Sequence, residues 1–160
     1  MISGRKLSIL INLLIFIGLF SCSEKDKKFF SHNFQQEKWP ANQELVFRIQ
    51  NKTPKTSYQT YYQICYNSFY PFQNLWLKYR IENPEGRVLS EAKRNVDLFD
   101  GISGKPEGVF GAGKIYLYAR FPEKFSLEGT GTYTIRVWQY MRPDTLEGVL
   151  SAGLVLVPGP

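Results

Sequence analysis

The amino-acid sequence predicts an all-β protein, an antiparallel β-sandwich of about seven or eight strands. Three observations support this fold class. Apolar residues recur at every second position in several short segments, which is the spacing at which side chains alternate across a strand. Glycine, proline and asparagine separate these segments, as expected for turns between strands. No window of about eleven residues combines a 3.6-residue apolar period with helix caps, so helices are not expected.

Eight segments carry the strand pattern. The clearest is 75–81, in which Leu, Leu, Tyr and Ile alternate with Trp, Lys and Arg. The tetrapeptide at 83–86 then predicts a turn, because its Gly86 accepts a positive φ. Residues 100–113 hold five glycines and a proline and are predicted to form a loop. In chain order, the predicted strands are 45–50, 58–66, 75–81, 88–92, 94–99, 114–121, 132–140 and 152–157.

The N-terminal region predicts secretion and lipidation. Arg5 and Lys6 precede an uncharged, apolar segment at 7–20. This segment is shorter than the roughly 20 residues of a membrane-spanning helix but has the length and flanks of a signal peptide. Leu19-Phe20-Ser21-Cys22 then resembles the lipobox of bacterial lipoproteins, in which the cysteine thiol receives diacylglycerol. We predict a signal peptide at 1–21 and a lipid, with acyl chains such as palmitate, on Cys22; the alternative is an uncleaved N-terminal anchor.

The residues after Cys22 predict a tether. Residues 23–28 are polar or charged without an apolar member, which is typical of a solvated linker. We place the lipidated cysteine and the tether at 22–38 and one β-sandwich domain at 39–160. Ser23, directly after the cysteine, is compatible with sorting to the outer membrane.

Residue types argue against several kinds of function. The net charge of +6 is scattered and forms no basic stripe, so no nucleic-acid partner is predicted. His32 is the only histidine and falls in the predicted tether, which leaves the domain without a histidine base for hydrolysis or the usual zinc ligands. Cys65 lies within a predicted strand and is expected to be a packed residue rather than a nucleophile. We expect no enzymatic activity, no metal and no cofactor.

Two further patterns resemble ligand-binding sites but have simpler structural interpretations. Residues 108–114 fit the G-x-x-x-x-G-K spacing of a phosphate-binding loop, but Ile115 stands where Ser or Thr should hold magnesium, and a strand pattern follows in place of a helix. We therefore predict a glycine turn leading into a strand, and no nucleotide. Asp97, Asp100 and Glu107 carry oxygens suited to calcium, but their spacing defines no cage, and solvated loop carboxylates are preferred.

Three blocks of sequence resemble the gliding motility lipoproteins of the GldH family in Bacteroidetes. The first block is Tyr70-Pro71-Phe72-Gln73-Asn74-Leu75-Trp76-Leu77. The second is the glycine-rich segment 108–116. The third begins at Gly131-Thr132-Tyr133, continues through Gln139-Tyr140-Met141-Arg142 and Leu146-Glu147-Gly148-Val149, and ends at Gly153-Leu154.

The resemblance implies a role in the cell envelope. A protein of this kind is expected to be a non-catalytic accessory component of the machinery for gliding motility and type IX secretion. It implies an outer-membrane address. Residues 24–28 match only weakly the acidic pattern that can mark export to the cell surface in this phylum, so the domain is expected on the periplasmic face rather than at the cell surface. The expected partners are the membrane, through the lipid on Cys22, and envelope proteins of that machinery.

Six residues in the first and third blocks are candidates for contact with such a partner. Aromatic residues, methionine and arginine are enriched at protein interfaces; the alternative is that these residues serve only turns and core. A second hypothesis for the whole chain is a lipid-anchored, carbohydrate-binding sandwich, for which Trp76 and Trp138 would have to form an exposed row. The candidate contact residues are Tyr70, Phe72, Trp76, Tyr140, Met141 and Arg142.

Overall fold

A computed structural model describes residues 27–121 and 125–159 of the chain. The predicted signal peptide and Cys22 lie outside these residues. The described chain forms twelve strands and one short 3₁₀ turn, Gln35–Glu37. The strands are β1 (Lys28–Asn33), β2 (Lys38–Pro40), β3 (Leu45–Asn51), β4 (Lys55–Tyr66), β5 (Asn74–Glu82), β6 (Val88–Asp97), β7 (Val109–Gly111), β8 (Lys114–Arg120), β9 (Phe125–Glu128), β10 (Gly131–Gln139), β11 (Thr145–Glu147) and β12 (Val149–Pro158).

The strands form two main sheets and a small third one. Six strands make the larger sheet, in the order β1-β12-β4-β8-β7, with β9 also paired to β4. Four strands make the second sheet, in the order β3-β10-β5-β6, and β2 pairs with β11. All these pairs are antiparallel. The all-β sandwich predicted from the sequence is therefore confirmed, with more strands than the seven or eight expected.

The core lies between the two main sheets. In β5 the residues at 75, 77, 79 and 81 are at most 3% exposed, and the residues between them point to the outer face. The Tyr79 ring of the four-stranded sheet packs 4.5 Å from the ring of Phe121, which follows β8 in the other sheet. The rings of Phe30 in β1 and Phe47 in β3 also pack across the two sheets, with 5.9 Å between their centres. The period-two pattern thus places one apolar face of each sheet against the other.

The structure differs from the prediction at the start of the domain. Lys28–Asn33, which we assigned to the tether, is strand β1 and pairs along its whole length with β12. It is an edge strand that exposes most of its polar side chains, and such a sequence resembles a solvated linker. Only Phe30 of this strand packs against the core. One apolar residue is not enough to show the two-residue alternation by which a strand is predicted.

Other differences concern strand ends. The two short strands predicted at 88–92 and 94–99 are the single strand β6, because Lys93 continues the alternation on the outer face. The strands β2, β9 and β11 are only three or four residues long and were not predicted. Within the predicted loop, β7 pairs with β8, and Ala112 and Gly113 form the connecting turn with φ of 51° and 75°. Two positive φ values are what a tight two-residue hairpin requires.

The sandwich has two distinct ends. We call the end at which β1 begins the entry end. At this level Lys28 pairs with Leu156, and Leu156 pairs with Thr60 of β4. The distal end is the one where β4 finishes at Tyr66 and β5 begins. Six residues of β4 separate these levels, or about 20 Å at the rise of a strand. A chain that comes from Cys22 thus reaches the domain at the entry end.

None of the elements described between residues 27 and 159 is a helix long and apolar enough to cross a membrane.

Candidate functional site

A pocket lies at the distal end of the four-stranded sheet, on its outer face. Its volume is about 490 Å³, within the roughly 300–1,000 Å³ typical of ligand sites. The sheet contributes residues of β5 and β6, and the chain that leaves β10 forms the opposite wall. The lining residues are Phe72, Trp76, Lys93, Tyr140, Met141, Arg142 and Pro143. Five of the six contact residues predicted from the sequence therefore converge on one cavity.

Gln139 holds the wall that the chain forms after β10. Its side chain is only 3% exposed. Its Oε1 accepts a hydrogen bond from the backbone N–H of Met141 at 2.8 Å, and its Nε2 donates to the carbonyl of Pro143 at 3.2 Å. A single buried amide thus fixes both ends of the turn that carries Met141 and Arg142. Satisfied hydrogen bonds of this kind keep the turn in one conformation.

Two contacts join this turn to β5. The backbone N–H of Tyr140 donates to the carbonyl of Trp76 at 2.7 Å, which extends the pairing of β10 with β5 by one residue. The backbone N–H of Trp76 lies 3.2 Å from the sulfur of Met141, within reach of a weak hydrogen bond. The pocket is therefore built from strand and turn together and is preformed.

The rings at the pocket are accessible. Trp76 is 41% exposed and Tyr140 is 50% exposed. Large, rigid aromatic side chains lose little conformational freedom when they bind a partner, and they dominate the energetics of many interfaces. The exposed rings of Trp76 and Tyr140 are suited to binding an apolar group.

The rim carries two cations, Lys93 and Arg142. The ammonium nitrogen of Lys93 lies 3.8 Å from the centre of the Tyr140 ring. A hydrogen bond from Lys93 and its charge lower the pKa of the Tyr140 hydroxyl below its ordinary value. In the part of the chain that the structure describes, neither cation pairs with a carboxylate.

Three other cations on the same sheet face, Lys78, Arg80 and Arg136, are paired with glutamates. Glu91 accepts hydrogen bonds from Lys78 at 2.7 Å and from Arg80 at 2.6 Å, and the contact with Lys78 is the main reason that the pKa of Glu91 is lowered. Arg136 contacts Glu82 at 3.1 Å and Glu44 at 2.8 Å. Within the described ranges, Lys93 and Arg142 at the pocket lack such a carboxylate, as does Arg48 of β3, which lies on the same face away from the pocket.

Tyr70, the sixth predicted contact residue, does not line the pocket. It is 4% exposed, and its hydroxyl donates to the carbonyl of Asn74 at 2.8 Å. Its ring meets that of Phe72 edge to face at 5.9 Å. Tyr70 is therefore a core residue that supports Phe72 from below, and burial raises its pKa.

The three tryptophans occupy different environments. Trp39 is fully buried, stacked on Phe34 at 4.8 Å, and its indole N–H donates to the carbonyl of Gln43. Trp76 and Trp138 both lie on the outer face of the four-stranded sheet. Trp138 is partly buried, and the side chains of Lys78 and Arg80 each lie 5.7 Å from its ring centre. Trp76 offers an open ring face, whereas cations cover that of Trp138.

The remaining chemical groups lie apart from the pocket. Cys65 is a buried residue of β4, and burial raises the pKa of its thiol, which keeps it protonated at neutral pH. His32 is on β1, where its ring contacts Gln43 at 2.8 Å.

The acidic loop residues are bonded within the loop. Asp100 accepts hydrogen bonds from the backbone and side chain of Ser103, which lower its pKa, and Asp97 accepts one from Asn95. Among the described residues there is no cluster of three or more acidic, histidine or cysteine side chains suited to a metal.

Sequence reasoning missed Lys93, Pro143 and the buried Gln139. Gln139 is the first residue of the block at 139–142 and Pro143 directly follows it, so both were open to detection as neighbours of the predicted residues. Lys93 reaches the pocket only because β6 pairs with β5 in a register that sets Lys93 opposite Lys78 and Asn95 opposite Trp76. A single sequence gives no sign of that register.

The fold and the pocket define a small β-sandwich domain with an aromatic pocket whose rim carries two cations. The model of the family described as GldH lipoprotein matches residues 29–156, and the chain belongs to this family. Membership makes it a lipoprotein associated with gliding motility and implies that it is anchored to a membrane of the cell envelope.

Solved structures show more distant likenesses. The mosquito-larvicidal Cry4Aa toxin from Bacillus thuringiensis is 12% identical with a TM-score of 0.48, over 84% of this chain and 21% of the toxin chain. Latent PorU from Porphyromonas gingivalis is 7% identical with a TM-score of 0.33, over 81% of this chain and 12% of PorU. The chain thus spans about a fifth or less of these two proteins. A comparison with curated protein sequences gives no match.

Proposed function

We propose that the protein is an outer-membrane lipoprotein that acts without catalysis, as an accessory component of the envelope machinery for gliding motility and type IX secretion. The observation that carries this proposal is the family match over residues 29–156. The make-up of the pocket supports action by contact, because its tryptophan, tyrosine, methionine and arginine are the residue types that anchor protein interfaces.

The mechanism we propose is tethering. One acyl chain gives only marginal membrane binding, at about 0.8 kcal/mol per buried methylene, whereas two or three chains on Cys22 would make it lasting. Confinement to the membrane raises the local concentration of the domain near membrane partners without any new contact. With the lipid attached ahead of the entry end, the pocket is displaced from the tether by about 20 Å along the strands. It therefore lies at the end of the domain away from the point where β1 begins.

We place the domain on the periplasmic face of the outer membrane. In this phylum a run of acidic residues after the lipidated cysteine can mark export to the cell surface. The residues after Cys22 mix acidic and basic side chains and form no such run. Protease added to intact cells should leave the protein uncut, and cleavage should follow only after the outer membrane is opened. Cleavage in intact cells would instead place the domain at the surface.

A deletion strain tests the function. Loss of the protein should impair surface spreading or the secretion of type IX cargo, and the wild-type gene should restore it. A Cys22→Ser copy should lose labelling by radioactive palmitate, leave the membrane fraction in carbonate washes, and fail to restore the phenotype. A deletion strain that spreads and secretes normally would contradict the proposal.

One observation favours a second candidate function, a lipid-anchored carbohydrate-binding domain. Trp76 presents an open ring on the same sheet face as Trp138, and such rings form stacking platforms for sugars. The cover of Lys78 and Arg80 over Trp138 weakens this candidate, since only one ring remains free. Retention of the protein on columns of envelope polysaccharide, lost in Trp76→Ser, would support it over the first.

A further inference from the structure

The geometry points to a specific occupant for the distal pocket: we infer that it binds a peptide segment of a partner protein in which a bulky apolar side chain adjoins one or more carboxylates. This inference rests on the proposed function, in which the protein acts by contact, and it names the chemistry of the contact.

The walls select the apolar part. Phe72, Trp76, Tyr140, Met141 and Pro143 surround the cavity, and the turn that carries three of them is fixed by Gln139. A preformed apolar site avoids the cost of ordering its own loop when a ligand binds. The thioether of Met141 adapts to irregular shapes, so the pocket is suited to an aromatic or branched side chain.

The rim selects the charged part. On the central part of the sheet face, Lys78, Arg80 and Arg136 are each neutralised by a glutamate. Lys93 and Arg142, at the pocket, have no such partner among the residues described. Charge complementarity at an interface sets both specificity and the rate of association. Two unpaired cations beside an apolar cavity are therefore complementary to carboxylates that flank an apolar side chain.

The surroundings favour a peptide over a lipid headgroup or a neutral sugar. Lys93 belongs to β6, which is an edge strand of the four-stranded sheet. The backbone edge of β6 that faces away from β5 has no partner strand within residues 27–121 and 125–159. An extended peptide can pair with the backbone of an exposed sheet edge while one side chain enters a pocket. A lipid headgroup has no peptide backbone to pair with this sheet edge, and a neutral sugar would leave both cations without an anionic partner.

Fluorescence anisotropy with dye-labelled peptides tests this inference on the full lipidated protein in detergent micelles. The first probe is the pentapeptide Glu-Glu-Phe-Glu-Glu with an amidated C-terminus. Two matched probes replace all four glutamates by glutamine or the phenylalanine by serine. A fourth, Gln-Gln-Phe with a free C-terminus, distinguishes a terminal carboxylate from side-chain carboxylates. Soluble dihexanoyl phosphatidylglycerol serves as a competitor that carries an anionic headgroup.

The inference expects saturable binding of a probe that holds both phenylalanine and a carboxylate, at least fivefold tighter than that of the glutamine or serine probe. Lys93→Gln and Arg142→Gln should each weaken this binding several-fold, whereas Lys105→Gln, on an exposed loop near the distal end, should not. Melting curves should show all three variants folded, because the three side chains are exposed.

Three results would overturn the inference. The first is that neither carboxylate probe, Glu-Glu-Phe-Glu-Glu or Gln-Gln-Phe, binds more tightly than the glutamine probe. The second is binding unchanged by Lys93→Gln and Arg142→Gln. The third is complete displacement of a bound carboxylate probe by the lipid competitor at equal or lower concentration, or an absence of peptide binding. In the third case a deletion phenotype that wild type restores would still uphold the proposed function, so the two failures are distinguishable.

Discussion

The ammonium group of Lys93 sits over the ring of Tyr140, with 3.8 Å between the nitrogen and the ring centre. The contact joins an edge strand to the turn after β10, two parts of the chain that are remote in sequence. Here the contact also positions the amine at the rim of the pocket and lowers the pKa of the Tyr140 hydroxyl.

Replacement of Lys93 should therefore change the titration of Tyr140. In Lys93→Gln the hydrogen bond and the charge are lost, so the pKa of Tyr140 should rise toward the ordinary tyrosine value. Carbon NMR of labelled tyrosine rings measures this directly. Lys105→Gln is the matched control and should leave the titration of Tyr140 unchanged; an unaltered titration in Lys93→Gln would show that the two groups do not interact in solution.

Tyr66 ties the loop after β6 to the core. Its buried hydroxyl lies within hydrogen-bond reach of the carbonyls of Leu98 and Glu107, and its single proton bonds one of them or is shared between both. Tyr66→Phe removes this buried donor, although the carbonyl of Leu98 keeps the backbone N–H of Glu107, and should lower the free energy of unfolding by about 1–2 kcal/mol. Tyr61→Phe, on the neighbouring outer face of the same strand, should change it by less than about 0.5 kcal/mol. Denaturant titration compares the two variants, and equal effects would mean that the Tyr66 bonds do not form.

The same buried phenol predicts a dependence of stability on alkaline pH. Burial raises the pKa of Tyr66 to about 12, while in the unfolded chain a tyrosine titrates near about 10. The folded state thus keeps its proton after the unfolded state has lost it. The stabilisation is complete below about pH 10 and is lost as the pH rises through about 12. Unfolding free energies between pH 9 and pH 12 should fall less steeply in Tyr66→Phe than in wild type; identical slopes would contradict the assignment.

Gly148 is required by the close approach of a backbone segment. Its φ is 76°, and a Cβ there would lie 2.4 Å from the backbone nitrogen of Tyr70. Gly86 has a similar φ of 79° but open space around it. Alanine at Gly86 therefore adds only backbone strain, whereas alanine at Gly148 adds the same strain and a steric clash. Gly86→Ala should cost about 1 kcal/mol, and Gly148→Ala about 2–4 kcal/mol, because the clash is added. Similar melting temperatures for the two variants would refute the close approach.

The sequence was most informative where burial follows a simple period. Residues 75–81 and 133–137 alternate cleanly, and the structure buries the apolar members of both segments against the opposite sheet. Strand β1 was missed because its order comes from backbone pairing with β12, from Lys28 opposite Leu156 to Asn33 opposite Ser151. That pairing is non-local, and the side chains of β1 scarcely indicate it.

The site was partly predictable for a similar reason. Trp76 and Arg142 were identified within blocks of sequence that resemble a family, and they do line one pocket. The burial of Tyr70 was not predictable, because it depends on how the segment between β4 and β5 folds back over Gly148. The unpaired state of Lys93 was equally hidden, since it depends on where Glu91 directs its two bonds.

The central claim, contact through the distal pocket, is tested most directly by surface spreading of a deletion strain that expresses Trp76→Ser. Phe29→Ser is the matched control, an exposed aromatic residue on β1 at the entry end. Both proteins should reach the membrane fraction in wild-type amounts, since neither side chain belongs to the buried core. We predict that Phe29→Ser restores spreading and Trp76→Ser does not. Full restoration by Trp76→Ser at normal abundance would contradict the account.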